Sequence, residues 1–243
     1  PICSPGEFYQ LDIEMSFATQ EDVFKNVEKV MSTVFAEFSD WKVESTPFPR
    51  IPYRDAMLKY GTDKPDLRNP IEIREVTGIF RGAGFNAFAQ AIEKGAVVRA
   101  IPVRDISGKP RSFFDRLVEY AQSIGSKGLA YLVYSENEVK GPIAKFLSDE
   151  KMTAIREQCD VRDGDVVFFV CDLEERAARI SGEVRTKLGT DLGLLENSVF
   201  RFCWIVDFPM FERNPETGKV EFSHNLFSMP QGGMEALQSK DPL

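Results

Sequence analysis

The sequence predicts an α+β fold in which strands and helices pack around antiparallel sheet, with an α+β module set inside the chain. Three observations point there. Residues Tyr9 to Phe17 alternate without a fault, Tyr9, Leu11, Ile13, Met15 and Phe17 on one side and Gln10, Asp12, Glu14 and Ser16 on the other, the period of a half-buried strand in an antiparallel sheet. Short apolar runs at 96–103, 129–134 and 165–171 are separated by segments of helical period. Near the end, 202–208 and 220–222 bracket a turn containing Pro215 and Gly218, which reads as a strand leading into a hairpin.

Bulk properties set the class. The 243 residues are 43% hydrophobic and 28% charged, an ordinary globular composition. A formal charge of -8 and a pI near 5.0 give no basic footprint for nucleic acid over the chain as a whole, which leaves room only for a local patch. Cys3, Cys159, Cys171 and Cys203 form no CxxC pair, and Cys171 and Cys203 sit in apolar runs. They read as reduced core thiols, which points to a cytoplasmic compartment rather than to disulfides or zinc. No apolar run reaches the length of a membrane span, so no membrane partner is expected. The chain opens on Pro1 without methionine, which suggests a piece of something longer.

Taken in order, the alternating strand is followed by Thr19 and Asp22, a capping box with Asp in place of Glu, and by Val23, Val27, Val30, Met31, Val34, Phe35 and Phe38 at helical spacing. A long amphipathic helix covering a sheet is expected. From Thr46 to Pro70 the prolines and glycines multiply, which predicts a connection between domains with a short helix at 53–59. Lys64 and Arg68 in that stretch read either as ligand or RNA contacts or as solvated loop charges.

The segment 71–172 then reads as a compact module. A strand at 96–103 is placed near an edge by Pro102, a helix through Phe113 to Ile124 stops at Gly125, and a strand at 129–134 follows. Short helices at 142–147 and 151–158 precede an apolar strand at 165–171. Gly82 and Gly84 lack the context of a phosphate loop and predict a plain turn. A helix from Leu173 to about Leu188, ended by Gly189, leads to the closing strand and hairpin, so the first and last thirds are expected to share a sheet. The polar face of Gln10, Asp12 and Glu14 reads either as solvated or as the floor of a site for an ammonium group, and His224 is the single histidine.

Five ordered blocks, EFYQLDIEMSF (7–17), YGTDKPDLR (60–68), KGLAY (127–131), WIVDFPMFE (204–212) and SHNLFSMP (223–230), closely resemble bacterial-type aspartyl-tRNA synthetases of class II. The resemblance covers nearly the whole chain. It implies a core segment 1–70 holding the second strand of motif 2, an inserted GAD-type domain 71–172 and a core segment 173–243 returning to the antiparallel catalytic sheet. It also implies the reaction: the aspartate carboxylate attacks the α-phosphate of Mg-ATP, and the acyl group of the aspartyl-adenylate passes to the 3'-terminal adenosine of tRNA(Asp). Whether tRNA(Asn) is charged as well stays open.

Carried over residue by residue, Asp12 and Gln10 would hold the substrate's α-ammonium, with Glu14 a second-rank candidate on the same face, and His224 would contact the aspartate, where a carboxylate favours the protonated ring. No catalytic residue is assigned and no metal ligand is expected in this chain. ATP and Mg2+ belong to the full-length enzyme, as does an expected homodimer. The motif 2 arginines of FRDEDxRADR, motif 1, the OB-fold that reads the anticodon, the loop that closes over aspartate and motif 3 have no counterpart here, so the isolated chain is expected to be inactive. Asn225 and Leu226 depart from the family's usual residues after the histidine. The other reading is a non-catalytic module that docks tRNA or positions the core.

Overall fold

The structure, a computed structural model, describes residues 7–136, 138–214 and 217–223 together with Glu235 and Gln238. In chain order the elements are α1 (Gln20–Glu37), β1 (Lys42–Val43), β2 (Arg50–Pro52), α2 (Tyr53–Tyr60), β3 (Arg74–Glu75), α3 (Thr77–Phe80), α4 (Asn86–Glu93), β4 (Val97–Val103), α5 (Arg111–Ser123), β5 (Ala130–Ser135), β6 (Glu138–Lys140), a 3-10 turn (Ala144–Phe146), α6 (Asp149–Gln158), β7 (Val166–Asp172), α7 (Glu174–Asp191), β8 (Val199–Phe200), β9 (Trp204–Val206), β10 (Phe211–Arg213) and β11 (Val220–Phe222). They fall into two units. One holds the chain up to Pro49 with Ser198–Phe202, and the other holds the remainder.

In the first unit α1 begins at the predicted box. Thr19 N–H donates to Asp22 Oδ2 at 2.9 Å, and Asp22 N–H donates to Thr19 Oγ1 at 3.3 Å. Two of the helix's orphan donors are thereby satisfied, and the hydroxyl and N–H of Thr19 hold the Asp22 carboxyl below its ordinary value. The buried face of α1 runs through Phe24 and Glu28, while Val23 and Val34 of the predicted stripe stay exposed. Glu28 accepts the backbone N–H of Phe48 at 3.2 Å. Phe35 meets Phe200 and Phe202 edge-on at 4.7 and 4.9 Å, so the helix packs against the parallel pair β1–β8, which joins the first and last thirds of the chain as expected. The expected strand at 9–17 is not one. Residues 8–15 pair with no strand among the described residues, and Tyr9 and Phe17 are fully exposed. Alternation specifies which side chains share a face, but a strand also needs a neighbour to take its N–H and C=O groups.

The second unit is built on a five-stranded sheet ordered β3-β4-β7-β5-β6 and antiparallel throughout. β4 and β5 both run antiparallel to β7, which lies between them, so β4-α5-β5 is a split crossover around the most apolar strand. That strand is buried on both faces. Val166, Phe168 and Val170 pack with α5 and α7, while Val167 and Phe169 pack with α3, α4 and α6. Pro102 lies near an edge as predicted, because β3 covers the far flank of β4 only at Arg99 and Ala100. α5 stops before Gly125, whose φ of 96° supports the predicted end. The hairpin β10–β11 pairs Phe211 with Phe222 as the closing pattern predicts. The run 202–208 contributes a shorter strand than expected: β9 pairs in parallel with β2 and is only half-buried.

The stretch 46–70 is more than a connection. It contributes β2 and α2, and α2 crosses α7 with two glycines at the contact. A Cβ on Gly61 would lie 2.2 Å from the carbonyl oxygen of Ala178, and one on Gly182 would lie 2.9 Å from the carbonyl oxygens of Gly61 and Tyr60. α7 also does not end at Gly189. It runs on to Asp191, and Gly189 is the point where the Asn69 side chain enters, 2.3 Å from where a Cβ would sit. A glycine that reads as a helix stop here admits a neighbour.

Gly61→Ala is therefore expected to destabilise the protein by well over about 1 kcal/mol, since it meets backbone at a φ of 71°. Gly182→Ala should cost less, its clash being offset by about 1 kcal/mol of helix propensity, and Gly108→Ala, with open space around it, should be near neutral. Thermal unfolding of the three variants tests this order.

Candidate substrate-binding segments

Gln10 and Asp12 are brought together as alternation predicts: Gln10 Nε2 donates to Asp12 Oδ1 at 2.6 Å. The amide spends one of its two donors on the carboxylate and keeps its own oxygen as an acceptor beside the carboxylate oxygens, an arrangement that offers several acceptors to a ligand with N–H donors such as an ammonium. Glu14 lies two residues on, and all three are exposed. No other described side chain is recorded bonding to them. His224, Asn225 and Leu226 lie outside the described residues, and with them the expected meeting of His224 with Asp12. The hairpin leading to the histidine is described as far as Ser223. Ser223 N–H donates to Met210 O at 3.1 Å, and its hydroxyl donates to the carbonyl of Pro209.

Ser223 lines a cavity of about 480 Å³ in the second unit, together with Gly61, Asp63, Arg176, Arg179 and Glu212. Three of the five resemblance blocks, 60–68, 204–212 and the one beginning at Ser223, therefore open on one space. In the first of these, Lys64 pairs with Asp63 at 2.7 Å, and Arg68 grips Asp66 with two bonds of 2.9 and 2.7 Å. Both cations are paired within their own loop, and the Lys64 side chain remains largely exposed. The hydrogen bond from the Arg68 side chain holds the Asp66 carboxyl below its ordinary range.

Sequence reasoning missed the group that organises this loop. Arg185 of α7 is 1% exposed, donates through Nε to Ile71 O at 2.6 Å and through Nη2 to Asp66 O and Asn69 O at 3.0 and 2.8 Å, and lies over the Tyr60 ring at 4.9 Å. Asn69 returns a bond from Nδ2 to Arg185 O at 3.0 Å. One arginine in an amphipathic helix carries no signal of burial, since its carbonyl partners lie some 115 positions earlier. Burial lowers its pKa.

As to a resident metal, no group of three or more His, Cys, Asp or Glu side chains that could hold an ion occurs among the described residues. The thiols of Cys159 and Cys171 are pushed up by burial to about 12 and about 11, so both are neutral at physiological pH. No described helix is long and apolar enough to cross a membrane.

Comparison with known proteins defines the class to which this α+β architecture belongs. Residues 3–241 match the family of class II tRNA synthetases (D, K and N), and the chain belongs to that family. It is similar to the aspartate–tRNA(Asp/Asn) ligase of Rickettsia bellii, 56% identical over 97% of this chain and 39% of that protein. The ligase of the same description from Rickettsia felis gives the same figures, and that of Paramagnetospirillum magneticum is 58% identical over 99% of this chain and 28% of its own length. The chain thus spans well under half the length of the curated relatives it matches.

The loop chemistry is open to measurement: in a titration followed by NMR, the Asp66 carboxyl should titrate below an ordinary aspartate and move back up in Arg68→Gln. An unmoved value would show that Arg68 is not the cause.

Proposed function

We propose that this chain is the central part of an aspartate–tRNA ligase that activates aspartate with ATP and transfers it to tRNA. The observation that supports this best is the identity of 56–58% with such ligases over almost the whole chain. The description of those relatives extends the acceptor from tRNA(Asp) to tRNA(Asn). In the first step an aspartate carboxylate oxygen attacks the α-phosphorus of ATP and pyrophosphate leaves. In the second the terminal adenosine hydroxyl of the tRNA attacks the acyl carbon and AMP leaves. Neither step needs a protein nucleophile, so the work of the chain is positioning and charge complementarity.

Asp12 and Gln10 hold the substrate α-ammonium, the carboxylate supplying charge and the amide fixing its orientation. His224 contacts the substrate from the closing hairpin, and Glu14 lies on the same face as Asp12. Residues 71–172 form the inserted GAD-type domain between core segments 1–70 and 173–243, with α7 packed against its sheet. ATP, Mg2+, the homodimer and a cytoplasmic setting are those of the full-length enzyme. A non-catalytic role of the inserted domain in docking tRNA is compatible with this reading and adds to it.

Aspartate-dependent ATP–pyrophosphate exchange in a full-length ligase tests the site. Loss of a hydrogen bond to a charged group costs about 1.5–3 kcal/mol, so Asp12→Ala and His224→Ala should each lower kcat/KM for aspartate by about 10- to 150-fold. Unchanged exchange in both would sink the assignment. Gln10→Ala should act in the same direction and less strongly, because the Asp12 charge remains.

A further inference from the structure

The block Lys127–Tyr131 takes no part in either step above, yet four of its five residues line a pocket of about 430 Å³ in the second unit, within the size range of small-ligand sites. Phe85 and Phe88, in edge contact at 4.8 Å, form one wall, and the buried Leu129 and Ile143 lie beneath. Lys94 and Lys127 stand at the rim, both exposed, and neither is engaged in an ion pair or hydrogen bond through its ammonium among the described residues.

That sets them apart from Lys64 and Arg68, which are held by carboxylates of their own loop. Two uncommitted cations on one apolar pocket, in a chain of net charge -8, make a local field of the opposite sign. The carboxylate in the lining, Asp172, is buried and lies 3.4 Å from Arg176. Lys127 is also well placed. Ser126 Oγ donates to Gly128 O at 2.7 Å, and the turn is tied to α7 by Arg176 to Gly125 O at 2.9 Å and Arg179 to Ile124 O at 3.1 Å.

We propose that this pocket takes one nucleotide of a single-stranded RNA segment, its base against the Phe85 and Phe88 wall and its flanking phosphates at Lys94 and Lys127. This rests on the reading that the protein acts on tRNA. Aromatic walls accept any base by stacking, and lysines contribute the salt-dependent part of such binding. The neutral Cys171 thiol in the same wall does not oppose an anion.

Anisotropy of a fluorescein-labelled single-stranded RNA hexamer, titrated with the 243-residue chain over a series of KCl concentrations, tests the pocket. Each phosphate contact on a single strand contributes about 0.7 to the slope of log K against log salt, so Lys94→Ala with Lys127→Ala should lower the slope by about 1.4 and weaken binding. Phe85→Ala should weaken binding by about 5- to 140-fold, the worth of one stacked base, at unchanged slope. Circular dichroism of the variants checks that they fold, and the exposed lysine pair keeps the test decisive if Phe85→Ala does not. The proposal is overturned if the unsubstituted chain binds no RNA, if the double variant keeps the full slope, or if a glutamate hexapeptide displaces the RNA at matched concentration.

Pyrophosphate exchange of a full-length ligase with the same lysine substitutions separates the two readings. Normal exchange with unaltered RNA binding removes the pocket alone. Absence of exchange in the unsubstituted full-length enzyme removes the ligase reading.

Discussion

The second unit depends on a close crossing of α2 and α7 that only glycine permits. At Gly61 and Gly182 the two backbones approach until a methyl group on either would meet carbonyl oxygen, and one turn along α7 from Gly182, Arg185 is sealed under the loop it holds. An arginine that is 1% exposed is a costly residue unless its donors are used. Here they are spent on three backbone carbonyls and an aromatic face, so the desolvated charge is converted into a fixed path for residues 60–71. That path carries YGTDKPDLR, the block bordering the cavity that also reaches Ser223.

The sheet beneath gives this arrangement a rigid base. Because β7 is buried on both faces, each face can carry its own helices, and the two do different work. The α5 and α7 face holds the loop clamp, while the α3, α4 and α6 face bears the pocket flanked by Lys94 and Lys127. The turn bearing Lys127 is itself tied to α7 through Arg176 and Arg179. One helix thus fixes both the loop shared with the closing hairpin and the rim of the proposed RNA pocket.

What could be read in the sequence was local. The Thr19 and Asp22 box, the stop of α5 at Gly125, the apolar run of β7 and the β10–β11 hairpin each rest on a few neighbouring residues, and each was expected within a residue or two of where it lies. The failures share a different character. Gly189 reads as a helix end but makes room for Asn69, and the alternation at 9–17 reads as a strand but finds no pairing partner among the described residues. Arg185 reads as surface and is core. In all three the deciding atom is more than a hundred residues away or belongs to a partner that local pattern cannot supply. The candidate site was legible in the same partial way: spacing two apart puts Gln10 and Asp12 on one side, and the structure shows them bonded, whereas the role of His224 came from resemblance and stands as a proposal.

The clamp implies that the loop and the sheet open together, and native-state hydrogen exchange measures this directly. In the unsubstituted chain the amide of Ile73, bonded to Lys59 O at 2.8 Å, and that of Ile71, bonded to Asn69 Oδ1 at 3.1 Å, should exchange with nearly the free energy of the β7 amides of Phe168 and Val170. In Arg185→Met they should exchange through a separate opening of lower free energy, leaving β7 the better protected. If Ile71 and Ile73 already exchange far faster than β7 in the unsubstituted chain, or if the substitution leaves their protection relative to β7 unchanged, Arg185 does not hold the loop.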